Sequence, residues 1–150
     1  MKVLNKIVIG LASLAMLTAC ASKVSYSEFH EKAVAAVAKA KDQNFDVTVN
    51  GKSGSTEYKD VKVVWDEAFA ATTITHLDEV AVALMLNMLT ADLVAEDEDT
   101  TYYAGSTFKT ETKSDDGNGT CTWDKYGLPT SIKGTSGEDK IDITVKYSKK

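Results

Sequence analysis

The clearest hydrophobic pattern in the chain is a helical stripe that begins after residue 25. Ser25 and Glu28 have the spacing of a capping box, in which a serine hydroxyl and a glutamate carboxylate satisfy free backbone amides at a helix start. The apolar positions that follow recur with helical periodicity, so we predict a helix from about Ser27 to Lys41 that lies on a core. Its apolar stripe consists of Phe29, Ala33, Ala36, Val37 and Ala40.

A second helix is predicted from about His76 to Ala95, and its pattern is different. The stretch LDEVAVALMLNMLTADLVA contains 14 apolar residues among 19, and only Asn87, Thr90 and Asp92 interrupt it after Glu79. A helix that is apolar nearly all round is buried on several sides or meets an apolar partner. We therefore expect that this helix does not expose one whole face to water.

Most of the remaining chain alternates between apolar and polar residues, which is typical of β-strands. Residues 44–50 and 61–65 alternate on either side of the loop GKSGST and predict a hairpin, whereas residues 66–75 are ambiguous. From Thr100 onward, turn clusters recur about every 8 to 12 residues, which indicates an antiparallel meander. The predicted fold class is α+β: a curved antiparallel sheet of about six strands with two helices packed on one face.

The first residues have the layout of a secretory signal peptide. Lys2 and Lys6 form a charged start, residues 7–17 are apolar, and small residues follow. An apolar stretch of this length is too short for a transmembrane helix, which needs about 20 residues. The pattern therefore predicts export from the cytoplasm.

Leu17-Thr18-Ala19-Cys20 resembles the lipobox of bacterial lipoproteins. In that family the cysteine thiol receives a diacylglyceryl group, and the chain is then cut just before the cysteine. The resemblance implies a lipoprotein signal peptide over residues 1–19, a lipidated anchor and short tether over residues 20–26, and a single α+β domain over residues 27–148. It also implies attachment to the extracytoplasmic face of a cell membrane, inner or outer, with the diacylglyceryl on Cys20 as the only bound group.

Two other uses of Cys20 remain open at this point. Ala19-Cys20-Ala21 also satisfies the small-x-small rule for an ordinary signal peptidase that cuts after Ala21, and Cys20 would then be discarded. A disulfide between Cys20 and Cys121 suits an oxidising compartment, but it needs cleavage upstream of Cys20.

The charge of the chain bears on its partners. It has 17 lysines, no arginine and 22 acidic residues. Without Lys2 and Lys6, 15 lysines remain against 22 acidic residues, which is a net charge of −7. An anionic bilayer repels such a domain, so a covalent anchor with two acyl chains gives the stable attachment that charge does not. The acidic balance and the missing arginines argue against nucleic-acid binding.

No pattern of catalytic or metal-binding residues is visible. His30 and His76, the only histidines, fit no metal-ligand spacing, and we find no nucleophile elbow, P-loop or Rossmann glycine pattern. The acidic residues 96–99 and the turn SDDGNG suggest calcium, but neither fits an EF-hand loop, so we interpret them as a solvated loop and a hairpin turn. Cys121 is in phase with Trp123 and is interpreted as a small buried residue. We predict that the protein is not an enzyme and has no metal.

A set of large apolar residues provides a candidate ligand site. They would supply an adaptable apolar lining if the curved sheet encloses a cavity, and plain core packing is the alternative. The set comprises Trp65, Leu84, Met85, Met88, Leu89, Phe108 and Trp123.

The order of helix, strand pair, apolar helix and meander resembles the periplasmic lipoprotein carriers and their lipidated relatives over most of residues 27–148. The turn Trp123-Asp124-Lys125-Tyr126-Gly127-Leu128-Pro129 and the strand IDITVKYS are similar to a turn and the closing strand of that group. The resemblance implies a half-barrel that shelters acyl chains. Carriers of this class use an arginine near the cavity, and this chain has none, so their transfer mechanism is not carried over.

These observations predict a membrane-anchored, non-enzymatic binding module that shelters an acyl chain or another apolar ligand. The alternative is a structural or protein-interaction lipoprotein of the cell envelope, with a filled core and envelope proteins as partners; a surface adhesin is a third hypothesis. Only residues 21–24 separate Cys20 from the capping box, a reach of about 14 Å at roughly 3.5 Å per residue. This short reach favours a function close to the membrane surface.

Overall fold

The computed structural model describes residues 21–52, 54–66, 71–75 and 90–149, and for residues 64–66 and 71–75 it describes the backbone alone. Within these ranges the chain forms one α-helix, a short 3-10 turn at Ala91–Leu93 and a single nine-stranded sheet. The elements are β1 (Ala21–Val24), α1 (Tyr26–Ala40), β2 (Asn44–Gly51), β3 (Gly54–Asp66), β4 (Ala71–Thr75), β5 (Thr100–Gly105), β6 (Phe108–Ser114), β7 (Gly117–Trp123), β8 (Pro129–Ser136) and β9 (Asp139–Lys149).

Every pair of neighbouring strands in the sheet is antiparallel, and the order is β1-β5-β6-β7-β8-β9-β2-β3-β4. Strands β5 to β9 form the predicted meander, and the hairpin of β2 and β3 continues it through β9. Strands β1 and β4 form the two edges of the sheet.

The prediction of about six strands and two helices is wrong. Three strands differ from the prediction. Strand β1 lies in the predicted tether, and β4 lies in the ambiguous residues 66–75. The single strand predicted after Thr100 is two strands, β5 and β6, joined by a turn at Ser106. Residues 76–89 of the predicted second helix lie outside the described residues. The end of that helix is absent, because Ala91–Leu93 is a 3-10 turn and residues 94–99 are irregular or turn.

The first predicted helix is confirmed. Ser25 is the N-cap of α1, and its hydroxyl accepts a hydrogen bond from the backbone N–H of Glu28 at 3.2 Å. The carboxylate of Glu28 forms an ion pair with Lys32 one turn later, at 2.7 Å. All five residues of the predicted stripe are buried. The helix ends at Ala40, and Asp42 adopts a left-handed conformation that turns the chain into β2.

Helix α1 joins two parts of one core on the inner face of the sheet. Near its start, Phe29 packs among residues of β5, β6 and β7, whereas Ala40 at its end packs among residues of β2, β3 and β9. The buried residues around Phe29 include Tyr102, Ala104, Phe108 and Trp123, and those around Ala40 include Phe45, Val47, Val61, Val63 and Val145.

The residues predicted to form a tether belong to the sheet. Ala21 pairs with Gly105 and Val24 pairs with Tyr102, so β1 runs antiparallel to β5 along its whole length. The folded domain therefore includes Ala21, ahead of the predicted boundary at residue 27. Among the helices in the described ranges, none combines the length and hydrophobicity needed to cross a membrane.

Candidate functional site

The predicted site residues fall into three groups. Cys20 and the four residues Leu84, Met85, Met88 and Leu89 lie outside the described residues. Trp65 lies on β3, where its backbone is opposite Thr72 of β4. Phe108 and Trp123 are brought together, because they are direct neighbours across β6 and β7.

Phe108 and Trp123 are part of a packed aromatic core. The ring of Phe29 meets Phe108 nearly edge-on at 5.7 Å between centroids, and it meets Trp123 in the same manner at 6.0 Å. Edge-to-face pairs at this spacing are a favoured aromatic geometry. Phe108 and Trp123 are each 3% exposed. At this position the chain's own helix fills the inner face of the sheet.

Cys121 lies on β7 in the same hydrophobic surroundings, and it is the one cysteine in the described ranges, where it is a free thiol. It is half-buried, opposite Thr110 on β6 and Ile132 on β8. Burial raises the pKa of its thiol, and a hydrogen bond with Thr110 opposes that shift. A thiol with a raised pKa is a weak nucleophile at neutral pH.

The turn between β7 and β8 is built around the carboxyl group of Asp124. Its Oδ1 accepts hydrogen bonds from the backbone N–H groups of Tyr126, at 2.8 Å, and Leu128, at 3.1 Å. An aspartate that bonds the backbone two residues on stabilises this kind of turn. Gly127 supplies the positive φ of 70° that the turn needs. Burial raises the pKa of the Asp124 carboxyl, and the two backbone N–H groups partly offset this effect.

Three aromatic rings lie beside this turn. Phe45 contacts Tyr126 at 5.7 Å and Tyr147 at 6.0 Å between ring centroids. The Tyr147 hydroxyl is enclosed and has no hydrogen-bond partner within the described part of the chain. Burial, and after it the charge of Asp124, raise the pKa of Tyr147 well above its ordinary value. The sequence predicted both the turn and the closing strand, but no local pattern could show that they meet.

Two open hollows lie on either side of this turn, and both are lined in part by Thr107 and Asp124. The first, of about 480 Å³, has Lys125 and Lys149 at its lining. The second, of about 560 Å³, reaches the start of β1. Its lining includes Ala21, Lys23, Tyr103, Lys109 and Thr122.

Two residues that line the second hollow, Tyr103 and Lys109, form a polar cluster with Glu111. The ammonium of Lys109 is 2.8 Å from Oε1 of Glu111 and 4.4 Å from the ring centroid of Tyr103. The Tyr103 hydroxyl donates a hydrogen bond to Oε2 of Glu111 at 3.3 Å. The hydrogen bond from Lys109 lowers the pKa of Glu111. These groups satisfy one another, so they form a structural ion pair on the sheet surface.

The acidic segments that suggested calcium have structural roles. Asp97 uses both carboxylate oxygens locally, since Oδ1 accepts from the backbone N–H of Asp99 and Oδ2 accepts from the hydroxyl of Thr100. Asp115 and Asp116 lie in the turn between β6 and β7. In the part of the chain that the structure describes, no three His, Cys, Asp or Glu side chains are placed to hold a metal ion.

The described surface thus offers cationic side chains around two shallow hollows at one end of the sheet. Lysine ammonium groups in this setting attract anionic ligands by charge. Comparison of the chain with family models, curated proteins and solved structures finds no match to any of them.

Proposed function

We propose that the protein is a bacterial lipoprotein, held on the extracytoplasmic face of a membrane by a diacylglyceryl group on Cys20, and that it acts there as a non-enzymatic interaction module. The observation that carries this proposal is the position of β1. Ala21, the residue after the motif cysteine, already pairs with Gly105 in the sheet.

The position of β1 favours one cleavage site over its rival. Cleavage before Cys20 leaves all four residues of β1 in the mature chain. Cleavage after Ala21 would remove the residue that pairs with Gly105 and shorten an edge strand that is already short. The pairing of Ala21 with Gly105 therefore supports a cleavage site that keeps residue 21 in the mature chain, as cleavage before Cys20 does.

The packing of the core favours an interaction role over the sheltering of an acyl chain. Phe108 and Trp123 contact Phe29 and leave no room for a ligand between the sheet and this part of α1. An acyl-binding role would depend on Leu84, Met85, Met88 and Leu89, which lie outside the described residues. A structural or protein-interaction role in the cell envelope needs no such cavity.

The test is the intact mass of the protein purified from membranes, together with a Cys20→Ser variant. We expect a mature chain that starts at residue 20 and carries the added acyl mass. We expect Cys20→Ser to lose that mass, whereas the matched variant Cys121→Ser should keep it. A first residue other than 20, or a Cys20 without acyl mass, would contradict the proposal.

Mass spectrometry of non-covalently bound lipid distinguishes the two roles. Lipid is extracted from the purified, acylated protein under conditions that leave the thioether intact. A filled core predicts no stoichiometric lipid in the extract. Recovery of about one lipid per chain would instead favour the acyl-sheltering role.

A further inference from the structure

The pairing of β1 with β5 determines which end of the sheet would lie next to a lipid on Cys20. Ala21 pairs with Gly105, at the start of the turn that joins β5 to β6. Consecutive Cα atoms are about 3.8 Å apart, so an anchor on residue 20 is one peptide unit from this turn. Because Ala21 is already held in the sheet, almost no slack separates a lipid on residue 20 from the domain.

Three lysines lie near the same place, which we name the anchor corner. It comprises Ala21, Ser106, Thr107, Lys23, Lys125 and Lys149. In the antiparallel order, the turns after β5 and β7 and the end of β9 lie at one end of the sheet. The hollow lined by Ser106, Lys125 and Lys149 shows that these segments are adjacent. Lys23 lines the neighbouring hollow, and Thr107 and Asp124 belong to the lining of both hollows. Lys23 lies two residues further along β1 than Ala21, and it also lines a hollow with the acidic residues 96–98.

The anchor corner is basic although the chain as a whole is acidic. Lys23, Lys125 and Lys149 are exposed, and no salt bridge to them is found within the described ranges. Lys125 lies over the ring of Tyr126 at 5.2 Å, a cation–π contact. Asp124, which lines both hollows, directs its carboxyl group into the backbone of its own turn. Asp46, opposite Ser148 at the end of β9, forms an ion pair with Lys59 at 3.6 Å.

The opposite end of the sheet is acidic. The turn between β6 and β7 and the turn between β8 and β9 are adjacent there, since the Gly137 amide donates to the Asp116 carbonyl. The acidic loop that precedes β5 joins them, because the Lys113 amide donates to the carbonyl of Asp99. Lys113 and Lys140 lie among these segments, but eight exposed acidic residues outnumber them: Glu96, Asp97, Glu98, Asp99, Asp115, Asp116, Glu138 and Asp139.

We propose that the anchor corner rests on an anionic phospholipid surface, so that the sheet stands on the membrane with its acidic end pointing away. This inference rests on the proposed lipid anchor at Cys20. An anionic surface attracts lysines that lie within about a Debye length, roughly 8 Å, and repels the acidic end. The anchor supplies the attachment, and the uneven charge determines the orientation.

The test uses the acylated mature protein, in a Cys121→Ser background, reconstituted into vesicles that contain phosphatidylglycerol. A fluorophore is attached at Ser106→Cys or at Asp116→Cys, and the vesicles carry a phospholipid with a nitroxide quencher on its headgroup. Strand β6 separates these two positions by about 25 Å at 3.3 Å per residue. We expect strong quenching at position 106 and little at position 116. Equal quenching, or stronger quenching at position 116, would overturn the inference.

Charge reversal tests the electrostatic part. We expect Lys125→Glu with Lys149→Glu to reduce quenching at position 106 by about twofold or more, because these lysines would then face the anionic lipid with the wrong sign. The matched pair Lys113→Glu with Lys140→Glu, at the acidic end, should leave it unchanged. An unchanged signal in the first pair would overturn the proposal that the lysines orient the domain.

The two proposals fail in different ways. If intact mass before reconstitution shows no acyl group on Cys20, the proposed anchor is wrong. If the acylated protein attaches to the vesicles but its two ends are quenched alike, the anchor stands and the orientation is wrong. Circular dichroism of each variant establishes that the sheet is intact.

Discussion

At Gly127 the turn between β7 and β8 approaches helix α1 closely. The φ of this glycine is +70°, and a Cβ atom added there would lie 2.6 Å from Cγ2 of Val37. Glycine is thus required twice, once for the left-handed backbone and once for the close approach of the helix. The sequence alone predicts the first requirement, since DKYG is a turn pattern, but the second follows from packing.

Gly127→Ala should therefore destabilise the protein more than a turn glycine normally would. We expect a loss of about 2–4 kcal/mol in the free energy of unfolding, from the backbone conformation and the overpacking together. Gly137→Ala is the matched control, because its φ is +59° but nothing lies within 4 Å of its added Cβ. Urea denaturation measures both, and equal losses would contradict the packing contribution.

Asp124 predicts a dependence of stability on pH. Because burial raises its folded pKa, the folded state binds a proton more readily than the unfolded chain does. Its contribution to stability is fully present below the ordinary aspartate pKa, about 3.9, and is lost as pH rises through the raised value.

Asp124→Asn should reduce the dependence of the free energy of unfolding on pH in this range. The amide oxygen of asparagine can still accept from the N–H groups of Tyr126 and Leu128, so the turn is retained. The measurement is the free energy of unfolding between about pH 4 and neutral pH. Asp115→Asn, in an exposed turn, controls for the loss of one charge. If the free energy of unfolding of Asp124→Asn changes with pH as steeply as that of the wild type, Asp124 is not the source of the pH dependence.

At the scale of elements, α1 was predictable because its signals are local. The Ser25 cap and the buried stripe lie within one stretch of sixteen residues, 25 to 40, and each is visible in the order of residue types. Strand β1 has no such signal. Its four residues become a strand because β5, much later in the chain, presents an open edge to them.

The Ser25 cap gives a prediction at this scale. Ser25→Ala removes the acceptor for the Glu28 amide and should lower the free energy of unfolding by about 1 kcal/mol. Ser27→Ala, two residues into the helix and exposed, should change stability little. Thermal or urea unfolding followed by circular dichroism at 222 nm compares the two. A smaller loss at position 25 than at position 27 would exclude the capping role.

For the whole molecule, α1 makes one core from two groups of residues. Phe29 and Ala40 lie at opposite ends of the helix and in different parts of the sheet. A change at Phe29 should therefore affect the entire domain rather than one half of it. The segments of the sheet near β2 and β3 should lose structure together with those near β5 and β6.

Phe29→Ala should lower the free energy of unfolding by about 3–5 kcal/mol, because it leaves a cavity beside Phe108 and Trp123. Tryptophan emission and far-UV circular dichroism should still report one coincident transition. Val34→Ala, on the exposed side of the same helix, is the control and should have a small effect. Two separated transitions would show that the two parts of the core unfold independently.

The sequence by itself determined the elements with strong local patterns. It predicted α1 with its buried face, the meander and the turn at Asp124, because helical periodicity, alternation and turn residues are properties of short segments. The resemblance of residues 17–20 to a lipobox is likewise a pattern within a short segment. The lipid attachment that it implies stays a prediction.

Only the tertiary structure decided how many strands form and which distant residues become neighbours. The pairing of Ala21 with Gly105, the packing of Phe29 against Trp123, and the hollow that Lys125 and Lys149 both line each bring together residues far apart in the chain. Such contacts depend on which strands become neighbours and on how a helix crosses them. Those are outcomes of the whole fold, and no local pattern of hydrophobic and polar residues specifies them.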